Sequence, residues 1–265
     1  MVECTGLENQ RTERYQGFES LLLRRLVMIY KKSEWDRCKK EWGFGKTYID
    51  NFTDDEIVYK LFDECMSAPK DGWTVFTRSE SRMEEFNDLI SCPTAHNFTY
   101  NIMYSGEFIY ELEQLTGIVG LLPDPHLVGA GFSIIRNGKD LGCHYDFNWN
   151  DRIKLHRRLT VMLYITPNWQ EEWGGNIQYY DDNIDTNETA TLIDSITPKF
   201  NRLVINENVK HKPYHKVGKV NSTHNEYPRC ALRFFYYTSD SQPSEDNPPH
   251  RSKYKTNEYG HSKLY

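Results

Sequence analysis

What this sequence lacks narrows its function before any motif is considered. It has no excess of positive charge: 32 Lys and Arg stand against 38 Asp and Glu, a net charge of −6, and the isoelectric point is near 5.9. With no positive field to hold a phosphate backbone, general nucleic-acid binding is not expected. No apolar run is long enough to cross a bilayer, and the one short stretch near the start, Leu21 to Tyr30, is interrupted by Arg24 and Arg25. A membrane span is therefore not expected. The cysteines, Cys4, Cys38, Cys65, Cys92, Cys143 and Cys230, show no C-x-x-C spacing, so neither a zinc ribbon nor a disulfide framework is signalled. With no secretory h-region either, reduced thiols in a cytoplasmic protein are the expectation. The N-x-[ST] sequons at Asn51, Asn97, Asn187 and Asn221 then read as unmodified.

What the chain does have is aromatic surface, 14% of residues with 18 Tyr, and such side chains favour sheets. Its 265 residues suffice for one large domain with a sizeable core. Residues 1–45 are strongly charged and read as an appendage or partly helical arm. A domain over 46–240 follows, with its core over about 120–240, and then a polar tail over 241–265. Thr53 and Glu56 form a capping box ahead of Ile57, Val58, Leu61, Phe62 and Cys65 at helical spacing. A second helical region is predicted from about Asn97 to Leu115, with Phe108, Leu112 and Leu115 on one stripe and Gly117 as the stop.

Beyond Pro125 the pattern becomes short runs rich in Val, Ile, Phe and Tyr, separated by Gly, Asn, Asp and Pro. The predicted strands are His126 to Arg136, Gly142 to Phe147, Leu159 to Thr166, Asn176 to Tyr180, Arg202 to Asn206, His215 to Val220 and Ala231 to Thr238. Helices followed by about seven strands predict a mainly β fold, a sandwich or barrel braced by N-terminal helices. From Ser239 onward aliphatic residues nearly vanish, so the tail is expected to be poorly ordered or laid over the surface.

His144-Tyr145-Asp146 places an imidazole and a carboxylate two residues apart on a predicted strand, where they share a face. A third, neutral nitrogen donor would complete the facial triad that binds Fe(II) and leaves coordination positions open. His215, at the start of a later strand, is the best candidate. His211, four residues earlier, would pair with it only on a helix, and Pro213 argues for extended chain. His156 reads as a surface or hinge residue, and His96, His126, His224, His250 and His261 as structural or exposed.

Arg229 opens the last apolar strand, where burying a guanidinium is costly without an anion. The far carboxylate of 2-oxoglutarate would be such an anion, bound through two parallel bonds. Arg233 has the same facing parity and is the alternative. Tyr164, in a strand too apolar to be anything but core, needs a hydroxyl partner: a co-substrate carboxylate or a backbone carbonyl. Trp173-Gly174-Gly175 reads as a turn without chemistry.

Taken in order, Gly142-Cys-His-Tyr-Asp-Phe-Asn, Arg157-Arg-Leu-Thr-Val-Met-Leu-Tyr-Ile-Thr-Pro-Asn-Trp, Gly174-Gly, Pro198-Lys-Phe-Asn-Arg-Leu-Val, Tyr214-His-Lys-Val and Arg229-Cys-Ala-Leu resemble the prolyl-hydroxylase-type branch of the 2-oxoglutarate/Fe(II) dioxygenases. Both hypoxia-factor and ribosomal-protein prolyl hydroxylases are similar, over about residues 120–240 and more weakly back to Tyr48. The resemblance implies a double-stranded β-helix, a jelly roll of cupin type. It implies iron on His144, Asp146 and His215, 2-oxoglutarate on Arg229 and Tyr164, and O2 as oxidant, with ascorbate as a reductant. Hydroxylation is implied rather than halogenation, because halogenating relatives have a small residue where Asp146 stands. A prolyl or other residue of a peptide or protein is the substrate so implied. The alternatives are a free small molecule, a jelly-roll binding module without catalysis, and a cupin-type hydrolase or isomerase. The region expected to cover a substrate, Trp73 to Leu89, carries no recognisable motif.

Overall fold

The structure is a computed structural model that describes residues 32–78, 81–181, 191–208, 214–222, 227–239 and 249–254. In chain order the elements are α1 (Lys32–Glu41), β1 (Lys46–Asp50), α2 (Asp55–Ser67), β2 (Thr74–Arg78), β3 (Ser81–Phe86), α3 (Pro93–Phe98), α4 (Gly106–Thr116), β4 (Leu122–Pro123), β5 (Gly131–Ile135), β6 (Leu141–Tyr145), β7 (Trp149–Asn150), β8 (Leu155–Tyr164), β9 (Ile177–Tyr180), β10 (Leu192–Ile196), β11 (Arg202–Glu207), β12 (Tyr214–Val217), β13 (Arg229–Thr238) and β14 (Lys253–Tyr254).

Two antiparallel sheets face each other. The major sheet runs β1-β11-β8-β13-β5-β3-β2, with β4 on β13 and β7 on β8, and the minor sheet runs β10-β9-β12-β6-β14. At the centre, β5, β8, β11 and β13 face β6, β9, β10 and β12, and the chain crosses repeatedly between the two groups. This is the double-stranded β-helix. Alternation along β8 shows how sequence sets the two interiors. Leu159, Val161 and Leu163 turn to the main core shared with the helices, while Met162 and Tyr164 turn inward to meet Ile177 and Tyr179 of the minor sheet.

The helices cover the outer face of the major sheet, and none of the described helices is long and apolar enough to cross a membrane. α1 is part of that packing: Trp35, Cys38 and Trp42 are buried, and Trp35 meets Phe108 edge-on at 6.2 Å. Residues 32–45 thus belong to the packed body rather than to an appendage. α2 starts one residue later than a Thr53 cap would place it, because Asp54 is the N-cap and its carboxylate accepts from Glu56 N at 3.0 Å. The helical region expected over 97–115 is two pieces. α3 begins at Pro93, and the chain breaks at Tyr104 before Ser105 caps α4 by accepting from Phe108 N at 3.2 Å. Gly117 ends α4 as expected, at φ 72° with its N–H bonded to Glu113 O.

The run read as a strand from His126 contributes only Gly131–Ile135. Before it the Asp124 carboxylate accepts from His126 N and Val128 N, which holds a turn. Within the expected tail, Lys253–Tyr254 lies along the edge of β6; the rest of the tail falls largely outside the described residues.

Candidate active site

The geometry starts from a cross-strand pair. β12 lies antiparallel to β6 with His215 directly opposite His144, so both imidazoles leave the same face of the minor sheet, 4.4 Å apart between centroids. β6 ends at Tyr145, and Asp146 is the first residue beyond it. Its carboxylate still turns inward, and one potential ligand atom from each of His144, Asp146 and His215 lies within 4.8 Å of the others.

His144 is oriented by its neighbour: Nδ1 sits 2.7 Å from the carbonyl oxygen of Gly142. A carbonyl only accepts, so Nδ1 carries the proton and the Nε2 lone pair is left for a metal. That atom is 3.6 Å from Asp146 Oδ1. The other carboxylate oxygen, Oδ2, is 3.1 Å from the guanidinium of Arg157 and 3.1 Å from Thr160 Oγ1. Burial by itself would raise the Asp146 carboxyl. Arg157, with His144 and His215, outweighs burial and holds it well below the usual carboxylate range. Two imidazole nitrogens and one ionised oxygen are the donor set Fe(II) takes in a facial triad, so the site fits that ion.

Arg157 is itself 1% exposed. Its guanidinium lies over the rings of Phe147 and Phe235, 4.3 and 3.4 Å from their centroids, and also bonds Thr160 Oγ1. Plain alternation would put Arg157 and Thr160 on opposite faces of β8. A register shift against β13 makes the difference: Leu159 pairs Tyr236 and Arg157 pairs Tyr237, which leaves Arg158 as the extra residue of a bulge.

Arg229 and Tyr164 meet on neighbouring strands of the major sheet. Arg229 is 4% exposed, and its Nε donates to the Gly175 carbonyl at 2.7 Å while Nη2 donates to the Tyr164 hydroxyl at 2.8 Å. No carboxylate among the described residues pairs with it. Burial raises the Tyr164 phenol against the pull of Arg229, so its hydroxyl keeps its hydrogen and can donate. The partner of that hydroxyl in the structure is the guanidinium, not a backbone carbonyl. Arg233, the alternative anion binder, is already in an ion pair with Glu85 of β3, and its Nη1 is 3.7 Å from Met83 Sδ.

The Gly174-Gly175 turn has a use that the sequence reading did not give it. Both residues have positive φ, 65° and 68°, and a Cβ on Gly175 would stand 3.1 Å from Arg229 Cδ. The missing side chain lets the turn approach and orient the guanidinium.

His144, Asp146, His215, Arg229 and Arg157 all line one cavity of about 240 Å3. Phe76, Met83 and Glu85, from the hairpin β2–β3, line it as well, and so does Tyr254. His156, expected as a surface or hinge residue, is 2% exposed, paired across strands with Trp149 and Thr238. His96 and His126 are exposed as expected, and His211, His224 and His261 lie outside the described residues.

An ion held by two imidazoles and one carboxylate would keep positions for a co-substrate and oxygen, and a jelly roll with an arginine lining the same cavity fits the class of non-haem Fe(II), 2-oxoglutarate-dependent oxygenases. Residues 130–237 match the profile of the 2OG-Fe(II) oxygenase superfamily. Within it the likeness is to the prolyl-hydroxylase type. Prolyl 3-hydroxylase OGFOD1 of Mus musculus is 29% identical over 117 residues, 42% of this chain and 20% of the relative. The Xenopus laevis protein of the same name is 29% identical over 126 residues, 43% of this chain and 23% of the relative, so the chain spans about a fifth of the length of these relatives. Among solved structures, a Trichoplax adhaerens prolyl hydroxylase in complex with a hypoxia inducible factor peptide fragment superposes with TM-score 0.55 at 16% identity, over 82% of this chain and 92% of that one. HygX of Streptomyces hygroscopicus, with nickel, 2-oxoglutarate and hygromycin B bound, gives 0.50 at 12%, over 78% and 93%. At these identities the two superpositions speak for the fold.

Proposed function

We propose that this chain is an Fe(II)- and 2-oxoglutarate-dependent hydroxylase acting on a prolyl or other residue of a peptide or protein. The observation that carries the reading is that His144, Asp146, His215 and Arg229 all line one cavity. When bound there, the ferrous ion lets O2 be divided between two products, one atom entering succinate as 2-oxoglutarate loses CO2 and the other entering a substrate C–H bond as hydroxyl. The chain's own residues hold and orient. His144 and His215 offer neutral nitrogens, and Arg157 and Thr160 keep Asp146 anionic and fixed. Arg229 receives the far carboxylate of the co-substrate, with a second bond from the Tyr164 hydroxyl. Met162 and Ile177 line the cavity with apolar surface, which strengthens those polar contacts.

The peptide substrate is supported by the named proteins, which are prolyl hydroxylases, one of them solved in complex with a peptide fragment. HygX, holding hygromycin B, keeps a free small molecule as the second reading. Succinate formation with a panel of proline-containing peptides, set against a metabolite extract, separates them: stimulation by the extract alone would end the peptide reading. A reducing, cytoplasmic setting belongs to the same proposal and is supported by the absence of any disulfide among the described cysteines. So does a catalytic domain over 46–240.

Arg229→Ala is expected to raise the 2-oxoglutarate concentration needed for half-maximal turnover by about 100-fold, the loss of two charge-assisted bonds. Steady-state succinate assays check this. An unchanged requirement would favour a cupin-type enzyme that uses the three ligands without the co-substrate.

A further inference from the structure

The short strand β14 touches the cavity, and the chemistry proposed above does not use it. It pairs antiparallel with the outer edge of β6, Tyr254 opposite His144 and Lys253 opposite Tyr145. Directly paired residues share a face, and His144 faces the cavity, so Tyr254 is turned into it as well. Its ring lies nearly parallel to the His144 imidazole at 5.0 Å and 18°, and nearly parallel to Phe76 at 5.9 Å and 18°. Phe76 belongs to β2, the outermost strand of the major sheet, and β14 is the outermost strand of the minor sheet. Tyr254 therefore bridges the two sheet edges on one side of the cavity, with Ser252 beside it in the lining.

The attachment is short. Ahead of β14 the chain is pinned where Asn148 N donates to His250 O at 3.2 Å and His250 N donates to Asn148 Oδ1 at 2.8 Å. Among the described residues, two paired positions and the ring contacts of Tyr254 follow. A two-residue strand at a sheet edge is the kind of segment that opens locally, far below the free energy of global unfolding. The pinning residue stands two positions beyond Asp146, so the segment is fastened to the same stretch of chain that carries His144 and Asp146.

We propose that residues 249–254 form a strap over the mouth of the cavity, with Tyr254 as its latch and as a specificity residue that limits the size of the group reaching His144, Asp146 and His215. The proposal rests on reading those three residues as the metal site. Closed, the strap shields the two imidazoles; open, it admits substrate between β14 and the hairpin β2–β3.

Carbethoxylation of histidines by diethyl pyrocarbonate in the metal-free full chain, read by peptide mass spectrometry, tests the latch directly. His144 and His215 are expected to react about tenfold faster in Tyr254→Ala, the factor for losing an aromatic contact that holds a closed state. Phe76→Ala should act in the same direction and Tyr254→Phe should keep most of the protection, since the ring contacts to His144 and Phe76 remain. The exposed His96 and His126 serve as internal references that react alike in every form. In the Fe(II)- and 2-oxoglutarate-loaded enzyme, a bulky sulfonated chelator should extract iron more slowly than 2,2′-bipyridine from the wild type, and the difference should collapse in Tyr254→Ala. Equal carbethoxylation of His144 and His215 in wild type and Tyr254→Ala would overturn the strap. Failure of the wild type to bind Fe(II) with 2-oxoglutarate would instead overturn the metal reading, while the carbethoxylation rates still judge the latch.

Discussion

His144→Ala is expected to abolish both the visible absorption that Fe(II) and 2-oxoglutarate develop together under anaerobic conditions and all succinate formation above background. Nε2 of this residue is the donor that the Gly142 carbonyl orients, and it faces Asp146 Oδ1 across 3.6 Å. Removing it leaves one imidazole and one carboxylate, too few to fix the ion with its open positions on one side. The fold should survive, because His144 stands outside the hydrophobic core that joins the helices to the major sheet. A thermal midpoint within a few degrees of the wild type is the expected control. His215→Ala should behave identically, since its ring leaves the opposite strand at the same level. An absorption band or turnover in either variant would mean that other side chains hold the ion, and the proposed chemistry would fall.

The meeting of His144 and Asp146 was legible because strand parity is a local rule: two residues apart on extended chain means one face, and it held although Asp146 falls one residue past the end of β6. The strands β1, β2, β3 and β10 were not legible. Lys46–Asp50 and Ser81–Phe86 carry more polar than apolar residues, and they form strands because β11 and β5 offer edges to pair with. Arg157 was hidden for a related reason. Parity assigns it to the helix-facing side with Leu159, and only the bulge at Arg158, a consequence of how β13 lies against β8, turns it to Asp146. The Gly174-Gly175 turn could be read from its residue types, but its purpose needed Arg229, 54 positions away. Tyr254 sits in a polar tail with no periodicity at all, and its role depends on which sheet edge was left open for it.

Arg157→Leu is expected to cost the metal-free protein about 3 kcal/mol of stability, at the low end for removing one partner of a buried ion pair because Asp146 is 21% exposed and can protonate. Leucine would still fill the space between Phe147 and Phe235, so the loss reports the carboxylate left behind. The pH dependence separates charge from packing. In the wild type the folded carboxyl of Asp146 lies well below its unfolded value of ~3.9, so its stabilising contribution is complete above that value and disappears as pH falls through the folded one. Without Arg157, burial becomes the dominant influence and lifts the folded carboxyl above the unfolded value. The ionised group then destabilises at neutral pH, and acidification relieves the penalty. Thermal melts of metal-free protein from pH 4 to 7 should therefore show the gap between wild type and Arg157→Leu narrowing toward acid. Metal affinity should move the opposite way, because the ion needs the ionised carboxylate: both forms lose Mn(II) as the two imidazoles protonate, and the variant should lose it more steeply as pH drops because its Asp146 protonates as well. The control is the Asp146→Asn background. There Arg157→Leu should cost far less, and an equal cost in both backgrounds would show that Arg157 acts by packing against the two phenylalanines and not by holding the carboxylate.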